Sequence, residues 1–132
     1  MTRDAATMER ANQLSKQLIG AAIEVHRHLG PGLLESAYEA CLCHELTLLG
    51  VAFERQVPLP IAYKGLQVDA AYRLDVTVPG LVVLELKAVD KLESIHEAQL
   101  LTYLRLSKTW LGLLINFNVP VLRDGIKRLV CD

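Results

Sequence analysis

The sequence predicts an α/β domain in which two helices precede a mixed sheet, and three observations carry that prediction. Apolar residues recur at helical spacing up to residue 49, the pattern then changes to alternating or continuously apolar runs, and one further helical stripe separates the last two groups of strands. The element order read from these changes is α-α-β-β-β-α-β, with four to five strands flanked by helices. The 132 residues suit one domain, 1–132, able to bury roughly two-thirds of the surface of its unfolded chain without disulfide support.

Residues 1–10 are polar and weakly patterned, and fraying is expected there. From Asn12 onward Leu14, Leu18, Ala21, Ala22, Val25 and Leu29 form an apolar stripe that stops at Gly30-Pro31. Pro31 suits the first turn of a second helix, whose stripe is Leu34, Tyr38, Cys41, Leu42, Leu46 and Leu49, ended by Gly50. Turn signals at Lys64-Gly65 and Pro79-Gly80 then divide three antiparallel strands at about 52–63, 66–78 and 81–89. Ser94 reads as an N-cap with Glu97 in the capping-box position, starting a third helix that runs to about Ser107. Trp110–Asn116 reads as a strand that can enter the sheet by a crossover, and Ile126–Val130 as a short final strand.

Composition narrows the function. Fourteen basic residues against fifteen acidic ones leave a net charge of −1, without the basic excess that marks tight non-specific nucleic-acid binding. No apolar stretch approaches the ~20 residues of a membrane helix and no signal-peptide core is evident, so a soluble cytoplasmic protein without membrane association is expected. Three cysteines, Cys41, Cys43 and Cys131, lack CxxC spacing and read as incidental thiols.

The exception to an otherwise ordinary pattern is the run Leu81–Val89, where Glu85 and Lys87 interrupt a strand apolar enough to be covered on both faces. A buried carboxylate and ammonium are costly unless they pair or meet a metal, which marks both as candidate functional residues. Strand alternation puts them on one face with Leu81, Val83 and Val89. Asp75 is set opposite Leu84 if the Pro79-Gly80 loop has two residues, but opposite Glu85 if it has three or carries a bulge. The second arrangement is expected. Opposed carboxylates repel unless a cation lies between them, and oxygen-only ligands favour a hard divalent ion, Mg2+ or Mn2+. Lys87 would then orient a metal-activated water or stabilise charge on a phosphorane-like transition state, the chemistry of phosphodiester hydrolysis.

His96, Gln99 and Tyr103 share one stripe of the third helix and are placed to face the strand pair. Glu35 sits in the first turn of the second helix, where a carboxylate is favourable whatever its role. Arg73 lies two residues before Asp75 and is the preferred phosphate contact, with His96 a second candidate for binding nucleic acid.

Gly32-Leu33-Leu34-Glu35-Ser36-Ala37-Tyr38 resembles the signature of the GxxExxY protein family, a bacterial branch of the PD-(D/E)xK nuclease superfamily. Val25-His26, Leu29-Gly30-Pro31-Gly32, Ile115-Asn116-Phe117-Asn118 and Asp124-Gly125-Ile126-Lys127-Arg128 extend the resemblance over nearly the whole chain. It implies a restriction-endonuclease-like core, and a metal site made of Asp75, the Glu85 and Lys87 of ExK, the helical acid Glu35, and Gln99 and Tyr103 of a QxxxY motif. It also relates His26 to a histidine that some exonucleases place near the metal. The implied activity is metal-dependent cleavage of DNA, or of RNA, and the small size admits a homodimer spanning a duplex. A non-catalytic module that keeps the fold and binds nucleic acid or a protein is the alternative.

Overall fold

A computed structural model describes residues 4–132, the side chains at 70 and 71 excepted, and gives helices α1 (Ala5–Leu29), α2 (Glu35–Leu48) and α3 (Ser94–Ser107) with strands β1 (Glu54–Tyr63), β2 (Leu66–Val78), β3 (Val82–Lys87), β4 (Leu111–Asn116) and β5 (Ile126–Val130). The strands form one sheet in chain order, antiparallel throughout except for the parallel pair β3 and β4, which α3 connects as a crossover. This is the expected restriction-endonuclease-like α/β architecture, with five strands.

Helix α1 begins earlier than its apolar stripe suggests. The Asp4 carboxylate accepts from the Thr7 backbone N–H at 2.8 Å and from the Thr7 hydroxyl at 2.9 Å, so a capped polar turn precedes the stripe. Fraying over residues 1–10 is therefore corrected from Ala5 onward, while residues 1–3 lie outside the described residues. The helix ends at Gly30, whose φ of +67° breaks the helical path and whose N–H reaches the His26 carbonyl.

Pro31 is not in the first turn of α2. It stands between two glycines of positive φ, Gly30 and Gly32 (+97°), and no helix can propagate through them, so α2 waits until Glu35. Tyr38 ties this corner together: its hydroxyl donates to the Gly30 carbonyl at 2.6 Å and accepts from the Leu33 N–H at 3.2 Å, while its ring stacks on Phe117 at 4.4 Å. Leu34 and Leu49, assigned to the buried stripe from the sequence, are exposed at the helix ends, whereas Tyr38, Leu42 and Leu46 are fully buried.

The two faces of the sheet have separate cores. Val82, Leu84 and Leu86 of β3 pack with Leu18 and Leu42 of α1 and α2, and Val83 packs on the opposite side with Leu100, Tyr103 and Leu104 of α3. Close approach of α3 is permitted by Gly112, where a Cβ would stand 3.0 Å from Leu100 and Leu104 side-chain carbons. The β2–β3 loop has three residues, pairing Val78 with Val82.

Strand β2 changes face at Asp75. Leu74 packs into the α3 core and Val76 into the α1–α2 core, although residues two apart on a regular strand share a face. Gln56, which lies in register with Asp75 on β1, has a φ of +50°, and the flanking residues Arg55 and Val57 likewise part, toward α2 and toward α3. The twist positions the acidic pair.

Candidate active site

The ladder between β2 and β3 stops at Val76↔Leu84, one step short of Asp75 and Glu85. Beyond it side chains replace backbone partners. The Asp75 N–H donates to Glu85 Oε1 at 3.1 Å, and the Leu86 N–H donates to Asp75 Oδ2 at 2.9 Å. Each carboxylate is thus anchored on the other strand, and the three-residue loop has brought the two residues opposite one another.

Their electrostatics follow from this burial. Desolvation, then the neighbouring Asp75 charge, pushes the Glu85 carboxyl up to about 8, with Lys87 opposing the rise. Asp75 is raised chiefly by burial and further by Glu39 and Glu35 of α2, while the hydrogen bond from Leu86 holds it down. Lys87 is half-buried at the end of β3, and among the described residues it makes no ion pair. A buried and a half-buried carboxylate that resist joint ionisation, with one unengaged ammonium nearby, fit a hard divalent cation, which would relieve the repulsion.

The other candidates fall into two groups. Tyr103 belongs beside the pair: it is buried against Leu74 and Val83, and its hydroxyl is raised by burial and by the charges of Glu85 and Asp75. Gln99, half-buried one turn earlier, lines a cleft of about 240 Å3 with Tyr103 and Tyr72. Glu35 is exposed at the start of α2 and reaches Asp75 only through its field. Among the described residues no three His, Cys, Asp or Glu side chains gather into a metal-holding cluster, so Glu35 does not complete a three-carboxylate site with Asp75 and Glu85.

The expected capping of α3 is corrected. His96 caps α3: its Nδ1 accepts from the Glu93 N–H at 3.0 Å, and the capping box is Glu93 with His96, one residue ahead of the Ser94–Glu97 pair. Arg73 is exposed on β2, two residues before Asp75. His26 is buried, with Nε2 2.7 Å from the Val119 carbonyl and its ring centroid 6.5 Å from that of Phe117.

Two residues escaped the sequence reading. Glu39, one turn after Glu35, is buried and accepts from Arg55 at 3.0 and 3.2 Å and from Gln56 at 2.7 Å, which secures the twisted segment of β1 against α2. Its i,i+4 relation to Glu35 was the available signal. Tyr72 lies 5.5 Å from Tyr103, and only the fold brings them together.

All three cysteines are free, and burial pushes the Cys43 thiol up to about 11, which keeps it protonated and unreactive. No helix among the described residues is long and apolar enough to cross a membrane. A family model described as the PD-(D/E)XK nuclease superfamily matches residues 12–129. No curated protein and no solved structure gives a match.

Proposed function

The chain belongs to the PD-(D/E)XK nuclease superfamily, and from that membership we propose that it is a Mg2+- or Mn2+-dependent phosphodiesterase acting on DNA, or on RNA, with Asp75 and Glu85 holding the metal. We place it in the GxxExxY branch on the motif Gly32, Glu35 and Tyr38, of which Gly32 and Tyr38 shape the corner ahead of α2. The observation that carries the reading is the crossed anchoring of Asp75 and Glu85 where β2 parts from β3.

A divalent cation held by Asp75 and Glu85 would supply electrophilic stabilisation of phosphate oxygens and would make water there more acidic. The protein groups have separable tasks. Asp75 and Glu85 are held by backbone N–H groups, so their geometry is set before substrate arrives. Lys87, unengaged at the end of β3, directs the attacking water and offsets charge building on the phosphorus oxygens. Tyr103 and Gln99 wall the site on the α3 side, and Glu35 contributes negative field from α2 that favours cation entry.

Cleavage of labelled oligonucleotides with Mg2+ or Mn2+ tests this. Asp75→Ala, Glu85→Ala and Lys87→Ala should each lose at least about a hundredfold in rate, the scale of a deleted electrostatic catalytic group. Cleavage that persists in chelator or in folded Asp75→Ala would reject the assignment.

A further inference from the structure

Two tyrosines border a cleft on the α3 side of the acidic pair. Tyr72 of β2 and Tyr103 of α3 form a tilted contact, with ring centroids 5.5 Å apart and planes inclined at 53°, so Tyr103 steadies the Tyr72 ring from one side. Ile95, Ala98, Gln99 and Thr102 complete a cleft of about 240 Å3, the scale of a single planar base. Tyr103 is buried, but Tyr72 is 37 % exposed and presents ring surface to solvent.

The cleft adjoins the acidic pair. Tyr72 precedes Asp75 by three residues, and Tyr103 packs with Leu74 and with Val83, two residues before Glu85 on the same strand face. Because β2 pairs with β3 only from Val76 to Val78, nothing from β3 covers this stretch of β2, and the β1–β2 ribbon stands beyond the central sheet as one wall.

Charge limits how nucleic acid can be held. The chain carries a net charge of −1, and several cations are already engaged: Arg27 with Glu24, Arg55 with Glu39, Lys127 with Glu97, and Arg128 over the Trp110 ring. Without a basic excess, phosphate contacts leave room for a second source of affinity. Stacking on aromatic side chains is the principal alternative, worth ~1–3 kcal/mol per base. A base inside a duplex has both faces covered by its neighbours, so such a cleft admits only an unpaired one.

We infer that the exposed ring of Tyr72, at the mouth of this cleft, stacks on an unpaired nucleobase beside the scissile phosphate, making single strands, or the single-stranded ends of duplexes, the substrate class. The inference rests on the nuclease reading above. Tyr72 is then a specificity-determining residue, and the Gln99 amide, which both donates and accepts, meets the base edge without demanding one base.

The test measures binding by the full chain, with Ca2+ replacing Mg2+, to a short single strand of DNA, its RNA counterpart and the blunt DNA duplex, and then turnover in Mg2+ or Mn2+. At least one single strand should bind about tenfold or more tightly than the duplex, and Tyr72→Ala and Tyr72→Leu should weaken that binding roughly 5- to 150-fold. Tyr72→Phe should stay within about twofold, since the ring and not the hydroxyl stacks. A 2-aminopurine in the strand should be quenched by the wild type and not by Tyr72→Leu, with KM raised and kcat little changed. Tyr72→Leu keeps apolar contact with Tyr103, so a folded variant that binds and cleaves single strands like the wild type overturns the inference. Preference for blunt duplex overturns it too, while metal-dependent cleavage of that duplex leaves the nuclease assignment standing. Absence of both binding and cleavage brings down both.

Discussion

Replacing Glu85 by glutamine should raise the melting temperature of the metal-free protein above neutral pH. Burial and the adjacent Asp75 move the Glu85 carboxyl from 4.5 up to about 8, so across that interval the folded chain keeps a proton that the unfolded chain has released. The native state binds the extra proton, and stability falls with rising pH at up to about 1.4 kcal/mol per pH unit. The contribution is fully present below pH 4.5 and lost as pH rises through about 8, where a buried anion must stand beside Asp75. Over the whole interval the loss is on the order of 4 kcal/mol. Glutamine keeps the oxygen that accepts from the Asp75 N–H but never ionises. Thermal melts in chelator should therefore find wild type and Glu85→Gln close together near pH 5, and the variant about 5–15 °C higher at pH 8.5, allowing for relaxation around the charge. Added Mg2+ should raise only the wild type. A variant that melts at or below the wild type at pH 8.5, or a difference that ignores pH, would refute the electrostatic picture of the site.

Magnesium affinity, measured by calorimetry, should strengthen up to about tenfold per pH unit between pH 6 and 8 and then level, because the cation must displace the Glu85 proton; a flat profile would contradict this. Tyr38→Phe should cost about 1–3 kcal/mol in chemical denaturation, since it strips partners from the Gly30 carbonyl and the Leu33 N–H, and a neutral result would mean that the corner does not depend on them. Gly125→Ala should destabilise by at least about 1–3 kcal/mol, because the added Cβ would lie 2.2 Å from the Asn116 backbone oxygen, and wild-type stability would show that the loop yields freely.

The strands and the acidic pair were legible because their signals are local or nearly so. Glu85 and Lys87 are conspicuous as charges in a continuously apolar run, and the β2–β3 hairpin needed only a choice between two loop lengths, which the three-residue loop resolves. Helix starts were misplaced where a polar side chain outranked apolar periodicity: Asp4 caps a turn that hydrophobicity does not mark, and His96 displaces the capping box by one residue. The face change at Asp75 was hidden for a deeper reason. Parity counting assumes an unbroken pleat, and the positive φ of Gln56 beside Asp75 reverses the faces of the β1–β2 ribbon there. Glu39 and Tyr72 matter through contacts made across the fold, from α2 to β1 and from β2 to α3, and no period in the chain announces them.

The claim that Asp75 and Glu85 jointly hold a divalent cation is tested most directly by anomalous diffraction from crystals soaked in Mn2+. The account predicts a single strong peak within about 2.0–2.3 Å of a carboxylate oxygen from each residue, its remaining positions open to water or phosphate. A peak bound by neither carboxylate, or none at millimolar manganese above pH 8, would contradict it.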